Sequence, residues 1–149
     1  MNMSESDEAL LFRYFNEIGI ISTLVTTSFE RLLPDELTIS QFTVLNWFLR
    51  VDTEATPGRL AKAFQVTNGA MTNTLKKLQA KGLVAIEPDP NSGRQKRVTI
   101  TPAGEAMRER AIAAASPLLQ EFTAALDMNA IRAQLPQIQE VRQYLDEYR

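Results

Sequence analysis

Apolar positions recur at helical spacing from the start of the chain. Leu11, Phe12, Phe15, Ile18, Ile21, Val25, Phe29 and Leu32 mark one helix over Glu8–Leu33. Ser4 or Ser6 is its N-cap, Glu5, Asp7 and Glu8 lie favourably at its positive end, and Pro34 stops it. The stripe is wider than a one-sided contact needs. The helix is therefore expected to pack both on its own core and on a second subunit, and burial within a monomer is the alternative.

Thr38 and Gln41 have the spacing of a capping box, and the helix behind them carries Phe42, Val44, Leu45, Phe48 and Leu49 before ending near Arg50. Val51 to Ala55 reads as a polar loop. Thr56-Pro57 sets an N-cap before a proline at the first helical position, where its missing N–H costs nothing. A short helix from Pro57 to Phe64 follows, with Leu60, Ala61 and Phe64 turned inward. Gln65-Val66 make a turn, and Thr67 caps a helix that runs to about Lys81 and closes on Gly82. Its inward stripe is Ala70 or Met71, then Leu75 and Leu78.

Leu83–Glu87 and Lys96–Ile100 are short and β-prone, and the turn-rich stretch Pro88–Gly93 lies between them. The expectation is a two-stranded hairpin with a basic return strand. Thr101-Pro102 repeats the Thr-cap, Pro-N1 signature and opens a helix to about Leu126, which Pro117 should kink or split. Asp127 caps a last helix to Tyr148, with a second irregularity at Pro136. The fold class is mostly α (α+β). A winged helix-turn-helix domain over residues 37–101 sits between helical segments at 1–36 and 102–149.

Composition narrows the function. The chain has 149 residues, with no cysteine and no histidine. Disulfides, thiol sensors and thiolate metal sites are therefore excluded, and the commonest general base and zinc ligand are missing. No cofactor, metal or catalytic activity is expected. No apolar run approaches the ~18 residues of a membrane span, and the acidic start lacks a signal peptide's basic region, so the expected location is cytoplasmic.

Charge is unevenly spread. The segment Arg59–Arg97 holds eight basic residues against Glu87 and Asp89, a net +6, while the whole chain is −2. With Met71, Leu75 and Leu78 inward, the helix after Thr67 leaves Asn68, Gly69, Thr72, Asn73, Lys76 and Lys77 outside. Small polar residues near a helix N-terminus suit base edges in a major groove. Asparagine can pair with adenine, and a threonine methyl can touch thymine. Lysines further along suit phosphates. Arg94, Lys96 and Arg97 lie at or beyond the hairpin tip, where an arginine can enter a narrow minor groove. The residues expected at DNA are Pro57, Thr67, Asn68, Gly69, Thr72, Asn73, Lys76, Lys77, Arg94, Lys96 and Arg97. An ordinary solvated helix face and a solvated basic hairpin are the plain alternatives.

An ordered set of residues carries a family resemblance. It comprises Leu37-Thr38, Gln41 to Leu45, Leu60-Ala61, Val66-Thr67, Thr72, Leu78, Lys81 to Val84, Asp89-Pro90, Gly93-Arg94, and Val98 through Thr101 to Gly104. Over about residues 37–104 the chain resembles the MarR family of bacterial transcription regulators, and the flanking helices match in length and order. The resemblance implies a two-fold dimer made by the first and last two helices, with 1–36 and 102–149 as the helical dimerisation region, a recognition helix over Thr67–Lys81, and Arg94 as the wing-tip arginine. It also implies a repressor that binds double-stranded DNA at a palindromic site and is released by a small, often aromatic or phenolic, ligand. Phe12, Phe15, Trp47 and Arg50 are candidates to line such a ligand's pocket, and core packing is the plainer reading of the aromatics. One departure is Ser92. The family commonly has an acidic residue two positions before the wing arginine, and a serine can offer only a weaker bond. A looser tip follows unless Asp89 substitutes. The alternative function is a winged-helix protein-interaction module without specific DNA binding.

Overall fold

In a computed structural model the chain is described over residues 4–148. The outer ends of the two expected dimerisation segments, residues 1–3 and 149, lie outside the described residues. Helix α1 spans Asp7–Glu30, capped by Ser6, whose side chain accepts the Ala9 N–H at 3.2 Å. It ends three residues before the predicted Leu33. Leu33 precedes Pro34 and is extended (φ −67°, ψ 135°), because the proline ring excludes the helical conformation from the residue before it. A single 3-10 turn, Pro34–Glu36, then leads to α2 at Ile39–Arg50. Both halves of the expected capping box form. Gln41 N–H donates to Thr38 Oγ1 at 3.1 Å, and Thr38 N–H donates to Gln41 Oε1 at 3.3 Å.

Strand β1, Glu54–Ala55, lies inside the stretch read as a loop. It pairs antiparallel with β3, Lys96–Ile100, which also pairs with β2, Val84–Pro88, giving the order β1-β3-β2. The expected hairpin is therefore the larger part of a three-stranded sheet. Two residues are too few to show a period of two, and only the ladder to Val98 and Thr99 identifies them as strand. Between β1 and β2 lie α3, Pro57–Phe64, and α4, Asn68–Ala80, capped by Thr56 and Thr67. Leu60, Leu75, Leu78 and Val98 are fully buried beside Val44, Leu45 and Phe48 of α2. Each such side chain contributes ~1.5–3 kcal/mol through burial. The inward residue left open at the start of α4 is Met71, while Ala70 is exposed.

Helix α5 covers Pro102–Ala125 and α6 covers Met128–Tyr148, with Asp127 Oδ1 accepting the Asn129 and Ala130 N–H groups. Helix α5 runs unbroken through Pro117 and α6 through Pro136, so of the two outcomes expected at Pro117 the split does not occur. A mid-helix proline costs ~3 kcal/mol, which the remaining turns of helices this long can absorb. The chain forms two compact units, residues 1–115 and 116–149, and the boundary falls just before Pro117. In the first unit α1 buries none of its residues and exposes Leu10, Leu11, Phe12, Ile20, Ile21 and Leu24. In the second, α6 likewise buries none and exposes Ile131, Leu135, Ile138 and Leu145.

Candidate nucleic-acid interface

The turn between α3 and α4 depends on one left-handed residue. Gln65 (φ 56°, ψ 41°) reverses the chain, and the Val66 N–H donates to the Ala61 carbonyl at 3.0 Å. Thr67 Oγ1 then accepts the Ala70 N–H at 3.1 Å and starts α4. Met71, Leu75 and Leu78 anchor α4 to the core. That leaves Asn68, Gly69, Thr72, Asn73, Lys76 and Lys77 on its exposed side, as the periodicity requires. The side chains of Asn68, Thr72 and Asn73 make no hydrogen bond among the described residues. Their donors and acceptors face solvent. Pro57 is half-buried at the first position of α3.

The basic groups divide by partner. Arg59 donates to Asp52 Oδ2 at 2.7 Å, and its guanidinium lies 5.0 Å from the Trp47 ring centroid. This hydrogen bond is the main reason the Asp52 carboxyl is held below its ordinary pKa. Arg97 pairs with Glu54 at 3.7 Å. Lys81 donates to Gln41 and to the Glu36 carbonyl. Lys76, Lys77, Arg94 and Lys96 have no ion-pair partner among the described residues. The +6 segment thus presents less free charge than its sequence count. Asp52 and Glu54 lie just outside the counted segment and reach back into it.

At the wing tip the Asp89 carboxylate accepts the Asn91 N–H at 2.9 Å, and the Asp89 carbonyl accepts the Ser92 N–H at 3.1 Å. Asp89 is committed to its own turn and does not replace the family's acidic partner. Arg94 is exposed and unpaired among the described residues.

The four ligand-pocket candidates are not drawn together around either described cavity. Phe12 is 76% exposed, Phe15 and Arg50 are exposed, and Trp47 packs under Arg59 and edge-on to Phe48. One cavity of about 230 Å³ lies between α2 and α4, lined by Ser40, Thr43, Phe64, Val66 and Ala70 among others. A second, of about 240 Å³, is polar and bounded by Asp52, Glu54, Arg59, Asp89 and Arg97 among others. Sequence reasoning missed the Asp52–Arg59–Trp47 cluster and the Lys81 contacts. The first links residues across a loop and the second spans 40 positions, so neither has a local signature.

A helix-turn-helix with an exposed, polar second helix, flanked by a basic wing, defines a winged helix-turn-helix transcription regulator. The MarR family model matches residues 36–95. The multiple antibiotic resistance protein MarR of Salmonella typhimurium is 36% identical over 104 residues, which span 64% of this chain and 72% of that protein. The chain belongs to the MarR family, and it regulates transcription rather than catalysing a reaction. Among solved structures, a mutant MarR from E. coli complexed with operator DNA is 30% identical, with a TM-score of 0.69, and the match covers 88% of this chain and 97% of that one. The regulator BldR from Sulfolobus solfataricus, 24% identical, shares the fold with a TM-score of 0.77 over 91% of this chain and 99% of its own. No helix among the described residues is long and apolar enough to cross a membrane.

Proposed function

We propose that this regulator is a homodimeric repressor that binds a palindromic double-stranded DNA site in the cytoplasm. One observation carries the reading. The exposed face of α4 holds polar side chains without partners at its N-terminal half, and unpaired cations follow on the same helix and on the wing. Asn68, Thr72 and Asn73 read base edges from the major groove. Lys76, Lys77 and Lys96 hold phosphates, and Arg94 probes the minor groove. Pro57, Thr67 and Gly69 bring the backbone of the two helix starts against the DNA, and Arg97 approaches it while still paired with Glu54, so it adds no net charge there. A mutant MarR from E. coli is complexed with operator DNA, which supports a DNA-binding role for this chain.

Surface chemistry supports dimerisation. Helices α1 and α6 expose apolar side chains that a soluble monomer does not ordinarily leave in contiguous patches. A second copy covers them, with residues 1–36 and 102–149 as the dimerisation region and 37–101 as the DNA-binding domain. A two-fold dimer sets two recognition helices ~34 Å apart, one turn of DNA. A hydroxyl-radical footprint on the promoter beside its own gene tests this. Two protected half-sites with centres about one turn apart are expected. A single protected patch, or none, overturns the dimeric reading.

The effector class is a small aromatic or phenolic ligand that releases DNA. Trp47 is the only tryptophan and sits beside α3, so its emission reports such a ligand directly. A saturable change in Trp47 fluorescence accompanied by loss of DNA binding is the expected result. Loss of DNA binding with no change in Trp47 emission moves the pocket away from Phe12, Phe15, Trp47 and Arg50.

A further inference from the structure

We infer that Lys81 is a positioning residue that fixes the tilt of the recognition helix, and that it does not contact phosphate. The inference rests on α4 reading DNA as proposed above. Lys81 caps the C-terminal end of α4, and its ammonium donates to Gln41 Oε1 at 2.8 Å and to the Glu36 carbonyl at 3.3 Å. Gln41 is 4% exposed and is the only buried polar side chain among the described residues. Its Oε1 also accepts the Thr38 N–H, so one oxygen joins the start of α2 to the end of α4. The Glu36 carbonyl is presented by a turn in which both Asp35 (φ 55°) and Glu36 (φ 57°) occupy the left-handed region without being glycine. Such a turn persists only where neighbours hold it. Arg110 of α5 grips the same turn through Asp35 Oδ2 at 2.9 Å.

The exit of α4 is fastened on a second side. Thr101 Oγ1 donates to the Gly82 carbonyl at 2.7 Å, and the Thr101 N–H donates to the Leu83 carbonyl at 3.1 Å. The helix is thus clamped at its C-terminal end between the start of α2 and the start of α5. Its base-facing residues lie near the other end. Thirteen residues make a lever of ~18 Å, so a tilt of ~3° at the clamp moves the N-terminal turn by ~1 Å. A shift of that size breaks two-point hydrogen bonding to a base edge, whereas a flexible lysine can follow a phosphate. Loss of the clamp therefore removes sequence discrimination while sparing electrostatic affinity.

The test compares Lys81→Met with Lys77→Met, whose lysine is exposed and unpaired. Affinity for the own-promoter palindrome and for a random duplex is measured across a salt series. Lys81→Met is expected to lower the specific-to-random ratio at least tenfold and leave the salt slope unchanged. Lys77→Met is expected to weaken both duplexes and reduce the slope by about 2 in the dimer. Gln41→Met should reproduce Lys81→Met, with little further loss in the double variant. Gln41→Glu keeps the acceptor and should retain the ratio. A slope reduced by Lys81→Met to the extent seen for Lys77→Met, or an unchanged ratio, overturns the inference. A native protein that does not prefer the palindrome instead sinks the DNA-reading proposal. Hydrogen exchange in the free protein then decides the clamp alone. Faster exchange at the Gly82 and Leu83 amides in Lys81→Met upholds it, and unchanged exchange refutes it.

Discussion

Replacing Lys76 and Lys77 together with alanine should remove about half of the salt-dependent DNA affinity, because these are half of the unpaired cations on the proposed face. The free groups are Lys76, Lys77, Arg94 and Lys96 in each protomer, and Arg59, Arg97 and Lys81 already have partners. A dimer then brings ~8 phosphate-neutralising charges, for a slope of log K against log salt near −7. Affinity should fall ~10⁴-fold between 50 and 200 mM salt. In the double variant ~4 charges remain, the slope drops to about −3.6, and the same interval costs only ~10²-fold. Arg59→Ala is the control, since its guanidinium is held by Asp52 and over Trp47. Its slope should stay within about 1 of the native value. Fluorescence anisotropy with a labelled duplex over the salt series reads all three. A native slope in the double variant, or an Arg59→Ala slope reduced as far as that of the double variant, would refute the division into free and engaged cations.

Four further outcomes follow from the geometry. Gly104→Ala should destabilise the fold by ~1–3 kcal/mol or more in thermal unfolding, because the added Cβ meets the Leu83 carbonyl oxygen and Ile100 Cγ1. A melting temperature equal to the native one contradicts that close approach. Thr67→Ala removes the cap of α4 and should cost ~1 kcal/mol, with Thr67→Ser largely restoring it. The depressed Asp52 pKa gives stability that is present above the unfolded carboxyl value of ~3.9 and is lost as pH falls through the folded value. Asp52→Asn should therefore flatten the stability curve below about pH 4, and identical curves for the two proteins rule the pair out as a source. Ile21→Glu and Leu24→Glu on α1 should shift the protein toward monomer in sedimentation, whereas a surviving dimer places the interface elsewhere.

The legible parts of the sequence were those with local signatures. Thr38, Thr56, Thr67 and Asp127 each announce a helix start, and Ser6 does so with Ser4 as its rival, because a side-chain oxygen three residues before an unpaired N–H is a short-range fact. The exposed face of α4 followed from Met71, Leu75 and Leu78 alone. Long-range pairings were hidden. Nothing near Glu54 announces a partner at Thr99, and nothing near Lys81 announces Gln41. The charge count missed the carboxylates that reach back from Asp52 and Glu54 for the same reason. The departure at Ser92 was legible, and the structure adds that Asp89 serves its own turn.

Recognition of a particular DNA sequence through α4 and the wing, as proposed above, is open to a direct test. The most direct measurement is a competition titration at 150 mM salt, in which the palindrome from its own promoter is displaced by random duplex of equal length. The palindrome should bind at least ~10³-fold more tightly, with most of that preference lost in Asn73→Ala. Equal affinity for the two duplexes would contradict it.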